Sequence, residues 1–470
     1  MTTINTNIQS MIAQNALSAQ NKSMNTSLER LSTGLQINSA KDNPAGLIAV
    51  LNFQSQAAGA TQAISNAQQA DNMVSTAEGA LNQVSSLLTQ LQTLVSASAN
   101  SGTLSGTEVA ANQAQVDSIL SSINQIATGT TFNGKNLLDG TLGYVTSGVT
   151  GADITGLQVN QAQVAAGSPQ SVLVSVTAAG THGSLNYAGS GSDVKGAATV
   201  QITGSKGTSA NINITSGETL AAAKTAINAQ TGTTGVSATV SSSVLVLTAT
   251  GLGSSGFVSV QPVSGTFTTN VLSAHGADAT VTVNGQAAST NGLDVTYNGG
   301  SLNLAMTVST SFASTTGSTT FNVTGGGADF MIGSNVSLSN TVGLGIGSVA
   351  TGSLGNSADG FLASLGSGQA NSLSGNLTQA QTILTDATNQ VASLRGTLGS
   401  FQSYTLNPTV NALQVALENN SSAQSAIQDT NFAAETSNLT RAQILSQSAT
   451  SMLSLANSQP QNVLSLLKNL

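Results

Sequence analysis

The sequence contains no cysteine and no tryptophan, and charged residues amount to only 6% of it. The missing cysteines exclude disulfides, thiol nucleophiles and thiolate metal sites together, so stability must come from packing or assembly. Aromatic residues make up 3%, too few to furnish a ligand groove with stacking platforms. Ten Lys and Arg stand against 18 Asp and Glu, a formal charge of −8. Phosphate recognition needs clustered cations, so nucleic acid is not expected as a partner. The same scarcity excludes a basic helix lying on a membrane surface. No run of about 18 apolar residues occurs, so membrane insertion is not expected. The opening stretch MTTINTNIQSMIAQNALSAQ has no basic segment followed by an apolar one, so export by an ordinary cleaved signal is not expected.

What fills the 470 residues is Gly (49 of them), Ala, Ser, Thr, Asn, Gln and Val, arranged in three textures. Residues 1 to about 130 and about 368 to 470 carry helical periodicity; about 141 to 350 alternate like strands. In the first helical block Ala70, Val74, Ala77, Leu81, Val84, Leu88, Leu91 and Val95 step by four and three, a heptad-like seam that asks for a partner helix. Val109, Val116, Leu120, Ile123 and Ala127 follow after a Gly-bearing turn. Near the far end Ala387, Val391, Leu394, Leu398 and Phe401 repeat the pattern, Pro408 is expected to kink or break the helix, and Val410, Leu413 and Leu417 resume it.

The outermost segments carry apolar stripes: Ile4, Ile8, Met11, Met24, Leu28, Leu31 and Leu35 at one end, Leu445, Ala449, Met452 and Ala456 at the other. The final stretch PQNVLSLLKNL adds Val463, Leu464, Leu466, Leu467 and Leu470, with Lys468 as its one charge. A helix of 36 residues is roughly 54 Å long, too thin to bury its own stripe. The last four leucines represent up to roughly 6–12 kcal/mol of burial before ordering entropy is subtracted. With neighbours they order the ends; without them the ends are expected to be largely disordered.

The middle reads as strands, among them ATVQITG, ANINITS, VSATV, VLVLTAT and FVSVQPV, with a short amphipathic helix over 218–229. ATVTVNGQ, GLDVTYNGG, SLNLAMTVS and TTFNVTGGG form a second group, with hairpin signals at Asn284-Gly285 and Asn298-Gly299. Two small units meeting near Val263 to Ser273 is the economical division.

Catalytic residues are not found. His182 and His275 lie in Gly-rich turns without a helical His partner, GLGIGSVATGSLG lacks the G-K-[ST] of a phosphate loop, and Asp329 and Asp359 do not form a calcium loop. No enzyme activity, metal or cofactor is expected.

The motifs LERLSTGLQINSAKDNPAGLIAV, TAEGALNQV, TFNGKNLLDG and NLTRAQILSQSATSMLSLANSQPQNVLSLL, with the two-ended helical layout, closely resemble bacterial flagellin across residues 1–140 and 325–470. Residues 197–260 are similar to an insert motif that recurs in flagellins and hook-associated proteins, and 325–346 resemble the family's β-hairpin on the inner bundle. The resemblance implies an α+β multidomain fold, with long helical inner domains formed by both chain ends and β-rich outer domains inserted between them. Residues 1–42 with 436–470 would be a terminal coiled coil, 43–141 with 325–435 a helical bundle with a β-hairpin, 142–265 an outer α/β domain and 266–324 a second outer β-rich unit. It further implies an extracellular filament subunit for swimming motility, exported unfolded and added at the distal tip by terminal helix packing. Partners would be further copies of itself, the flagellar export apparatus, an export chaperone, the filament cap and hook-junction proteins.

On this reading Ile4, Ile8, Met11, Leu28, Leu31, Leu35, Leu445, Met452, Val463, Leu464, Leu467 and Leu470 are the subunit-assembly residues. A hook-filament junction protein shares terminal helices, but TRAQIL and QPQNVLSLL favour the filament subunit. A filament-displayed adhesin or glycan-binding protein would want aromatic platforms, of which the middle has few. One departure concerns TQLQTL: Gln90 and Gln92 replace arginines and Thr93 a glutamate in a motif that resembles the one sensed by the animal Toll-like receptor for flagellin. Weak recognition by that receptor is expected.

Overall fold

A computed structural model describes residues 6–100, 104–164, 168–357 and 359–468, with backbone alone at 460, 462–464 and 466–468. The principal helices are α1 (Ile8–Thr33), α2 (Pro44–Ser98), α3 (Gly106–Gly129), α4 (Leu220–Asn228), α5 (Leu377–Ser400), α6 (Asn407–Gln428) and α7 (Phe432–Lys468). The chain forms two compact units. One comprises residues 1–66, 332–335 and 408–470; the other 67–331 and 336–407.

In the first unit α1 and α7 run antiparallel along one another. Asn7 caps α1 by accepting from the Ser10 N–H at 3.0 Å, and Gly34 ends it in the left-handed region at φ 75°, where a side chain would be strained. The chain beyond α1 is tied to the α6–α7 corner: Gln36 N–H donates to Gln428 O at 2.6 Å, and Thr430 N–H to Gly34 O at 2.9 Å. Residues 332–335 lie so close to α2 that a Cβ on Gly59 would stand 2.4 Å from the Ser334 carbonyl oxygen.

The second unit begins with the heptad-like seam. Ala70, Val74, Ala77, Leu81, Val84, Leu88, Leu91 and Val95 are all buried, as are Val116, Leu120, Ile123 and Ala127 of α3 and Ala387, Val391, Leu394 and Leu398 of α5. Burying each large aliphatic contributes about 1.5–3 kcal/mol, which makes this face the main adhesive of the bundle. Polar ties fix its register: Arg395 Nε meets Glu78 Oε1 at 2.8 Å, and Gln402 Nε2 donates to Asp71 Oδ1 and Ser75 Oγ, each at 3.0 Å.

Pro408 does not break the helix. Residues Phe401–Leu406 widen into a π-helix that runs into α6, and the Asn407 N–H reaches back to Gln402 O. The wider turn accommodates a residue that has no N–H and whose ring would collide with an α-helical carbonyl.

The β-rich part is nested. The chain enters one module, leaves it near Ala178 for a second, and returns near Ala279. The first module pairs a five-stranded sheet (strands Tyr144–Ser147, Gln170–Ala178, Thr280–Val283, Gln286–Ala287 and Gly317–Gly326) with a four-stranded one (Ile154–Ala162, Ser289–Asn291, Asp294–Asn298 and Leu302–Val308). Their inner faces bury Val172, Val174, Val281, Leu304, Met306 and Phe321. The second module folds α4 over strands between His182 and His275, around Leu185, Ile202, Ile227, Leu247 and Tyr187, whose ring stacks on Phe267 at 4.1 Å. A linear division at residue 265 does not express this nesting.

Where the chain crosses between the modules, close backbone approach requires glycine: a Cβ on Gly276 would lie 2.1 Å from Thr181 O. The Asp278 carboxylate accepts from the Ser254 N–H (2.8 Å), the Ser254 hydroxyl (2.6 Å) and the Gly292 N–H (2.7 Å). Burial works to raise its pKa, and these hydrogen bonds outweigh it, leaving the carboxyl below its ordinary value.

The Asn284-Gly285 hairpin forms, with both residues at positive φ (51° and 78°). The hairpin at Asn298-Gly299 forms as well, around a longer turn in which Asn298 pairs with Asn303 and the Gly299 N–H donates to Leu302 O. A tight turn unmarked in the sequence analysis lies at Gly292-Leu293, between Asn291 and its partner Asp294.

Candidate assembly surface

The seam between α1 and α7 is made of small residues. Ser10, Ala13 and Ser27 of α1 are buried, as are Ala442 and Ala449 of α7. Small side chains let two helix backbones approach closely, and polar ones then reach across. Asn7 Nδ2 donates to Ala456 O (2.8 Å), Ser10 Oγ to Asn457 Oδ1 (2.9 Å), Ser446 Oγ to Asn21 Oδ1 (3.1 Å), and Ser27 Oγ to Glu435 Oε1 (2.6 Å). Arg30 lies 3.7 Å from the other Glu435 oxygen.

The large aliphatics consequently face outward. Ile8 is 59% exposed, Met11 56%, Leu28 47%, Leu445 43% and Met452 60%. Leu31 and Leu35 are half-buried. Ile4 and Leu470 lie outside the described residues; Val463, Leu464 and Leu467 belong to the α7 backbone, with side chains outside the described set. Ile12, Phe432, Ile444 and Leu455 on α1 and α7 are exposed as well, as are Ile48 and Leu51 on α2 and Val415 on α6, all of which the sequence reading passed over. Ile12 follows Ile8 by four and Ile444 precedes Leu445, so the signal was periodicity read on a wider face.

Other singled-out residues fall elsewhere. Gln90 and Thr93 are exposed on α2, Thr93 donating its hydroxyl to Gln90 O at 2.7 Å, and Gln92 is half-buried. His182 Nδ1 lies 2.9 Å from Gly251 O and His275 Nδ1 3.3 Å from Ser254 O, both at the crossing between the β modules. Asp359 accepts from Asn356 Nδ2 and Gln379 Nε2. Burial raises the pKa of Asp329. Among the described residues no group of three or more His, Cys, Asp or Glu is placed to hold a metal, and no helix is long and apolar enough to cross a membrane.

Comparison with known proteins matches residues 4–142 to the bacterial flagellin N-terminal helical region, 381–467 to the bacterial flagellin C-terminal helical region, and 185–251 to the flagellin hook IN motif. The chain is 32% identical over 503 residues to flagellin of Salmonella typhimurium LT2, covering 99% of each chain. It is 28% identical over 477 residues to flagellin B of Vibrio cholerae, again covering 99% of each. Among solved structures, FlgL of Xanthomonas campestris aligns at 14% identity and TM-score 0.28, over 78% of this chain and 97% of that one. The D1-D2-D3 domains of the Escherichia coli flagellar cap protein FliD align at 16% and TM-score 0.26, over 71% and 99%.

Proposed function

This chain belongs to the bacterial flagellin family and is a structural subunit of the extracellular flagellar filament, and we propose that it polymerises by burying the outward aliphatic face of α1 and α7 against neighbouring copies. The observation that carries this reading is the division within the helix pair: serines and alanines fill the seam, while Ile8, Met11, Ile12, Ile444 and Met452 stand in solvent. A large exposed apolar surface marks an interaction site. An interface in which one patch meets a different patch on the next molecule generates an open helical array.

In that assembly residues 1–42 with 436–470 act as the terminal coiled coil and 43–141 with 325–435 as a helical bundle. Before addition the terminal helices lack the neighbours that order them. The monomer passes unfolded through the flagellar export apparatus with an export chaperone, joins beneath the filament cap, and meets hook-junction proteins at the filament base. The role is mechanical and needs no catalysis, metal or cofactor. A place at the hook-filament junction is the weaker reading, because curated relatives matched over 99% of this chain are flagellins.

The test is elongation of filament seeds by purified monomer. Removing the last dozen residues should stop growth; elongation at the parent rate would refute the proposal.

A further inference from the structure

We infer that Asn133 is a site of spontaneous covalent modification, at which the Gly134 backbone nitrogen displaces the side-chain amide and leaves aspartate or isoaspartate. Asparagine before glycine is the pairing that permits this, because glycine has no side chain to hinder the approach of its nitrogen to the asparagine Cγ. In the step the Gly134 nitrogen bonds to Cγ, the Cγ–Nδ2 bond breaks, and ammonia leaves carrying the Gly134 N–H proton. Water then opens the cyclic imide at either carbonyl. One opening gives aspartate; the other gives isoaspartate, in which the main chain runs through the side-chain carbon. No oxidant and no enzyme is needed.

Four Asn-Gly pairs occur in the sequence, at 133–134, 284–285, 291–292 and 298–299. All four asparagines are exposed, so access to solvent does not rank them. Hydrogen bonds do. The Asn284 side-chain oxygen accepts from the Leu173 N–H at 2.9 Å, and the Asn284 N–H donates to Leu173 O at 2.8 Å, which pins that residue to the neighbouring strand. The Gly292 N–H, the nucleophile for Asn291, is held by the Asp278 carboxylate at 2.7 Å. The Gly299 N–H donates to Leu302 O at 2.8 Å. Among the described residues neither the Asn133 side chain nor the Gly134 N–H has a hydrogen-bond partner.

The backbone at Asn133 is also the cheapest of the four to open. Attack requires rotation about a residue that its hairpin holds at φ 48°. That hairpin is only Thr131–Phe132 against Lys135–Asn136, a two-stranded sheet by itself. Such a ribbon is marginal in water and opens locally at small cost. The other three pairs close turns within sheets of four or five strands. Either product adds a negative charge to a chain already at −8. Isoaspartate also lengthens the backbone inside a segment closed by the Leu137 N–H on Thr130 O at 3.0 Å, just before the buried Leu137 and Leu138.

The experiment incubates purified full-length protein at mildly alkaline pH, folded and in concentrated urea, and follows amide-to-acid conversion at each Asn-Gly pair by peptide mass mapping. In the folded protein Asn133 should convert first, outpacing each of the other three roughly fivefold or more, because they must first give up a hydrogen bond that Asn133 and Gly134 lack. In urea, with those hydrogen bonds gone, the four rates should draw together. Folded protein in which Asn133 keeps its amide, or in which another pair converts as fast, would overturn the inference. The same ranking in urea as in the folded state would overturn it too, since local sequence and not the fold would then set the order.

Discussion

Ser27 on α1 donates its hydroxyl to the buried carboxylate of Glu435 on α7 across 2.6 Å, the closest side-chain tie described between the two helices. The two residues are 408 positions apart in sequence, and the Arg30 guanidinium stands at the other carboxylate oxygen. This hydrogen bond marks the level at which the ends of the chain meet.

Glu435→Ala would leave the Ser27 hydroxyl and Arg30 without their acceptor. The expected cost is about 1–3 kcal/mol in the pairing of α1 with α7. Amide exchange along α1 in the filament should quicken in Glu435→Ala and much less in Glu435→Gln, which keeps an oxygen for Ser27. Equal protection in parent and alanine variant would show that the tie contributes nothing.

Gly59 is where α2 receives the 332–335 loop, and an added Cβ would meet a backbone oxygen at 2.4 Å. Backbone cannot swing aside as a side-chain tip can. Gly59→Ala should therefore lift the loop, and limited proteolysis of filaments should cut at 332–335 in the variant sooner than in the parent. An unchanged cleavage pattern would mean that the helix and loop part at little cost.

Asp386 has its pKa raised, chiefly because burial penalises the charged form, with Asp359 and Asp294 adding repulsion. An acid whose folded pKa lies above its unfolded value near 3.9 keeps its proton longer when folded. Stability is then fully present at low pH and declines as pH rises through the folded pKa. Asp386→Asn removes that decline while retaining an oxygen for the Asn356 Nδ2 donor, now at 2.7 Å. The variant should melt above the parent at about pH 7 and with it at about pH 3. A lower melting point at neutral pH would contradict the assignment.

Gln90, Gln92 and Thr93 stand on α2 with no charge among them, where the resembling receptor motif carries arginines and a glutamate. Purified monomer should activate reporter cells bearing the flagellin-sensing Toll-like receptor weakly, and the combined change Gln90→Arg, Gln92→Arg, Thr93→Glu should raise the response. Full potency in the unmodified monomer would refute this expectation.

Much of the helical layout was legible because apolar periodicity is local. The run from Ala70 to Val95 identified a buried helix face, and every member is buried. Asn284-Gly285 announced its turn because positive φ at both positions suits those residues. Pro408 marked the place of an irregularity but not its form, since a rule about α-helical geometry does not anticipate a π turn that absorbs the proline. Asn298-Gly299 announced its hairpin too, although not the length of its turn, since Asn298 pairs with Asn303. The exposed apolar face was half legible: the stripes of α1 and α7 named Ile8, Met11 and Met452, yet periodicity cannot tell which side of a stripe faces the partner helix.

By itself the sequence determined that both ends are helical, that the middle is strand-rich, and that the termini carry apolar faces, because each property repeats over a few neighbouring residues. The tertiary structure decided that Ser10, Ala13, Ser27, Ala442 and Ala449 occupy the α1–α7 seam while the larger side chains look outward, because close backbone approach selects small residues. It also decided the nesting of one β module inside another. The strand at Thr280–Val283 pairs with Gln170–Ala178 across a whole inserted module, and pairing at that separation leaves no trace in local pattern.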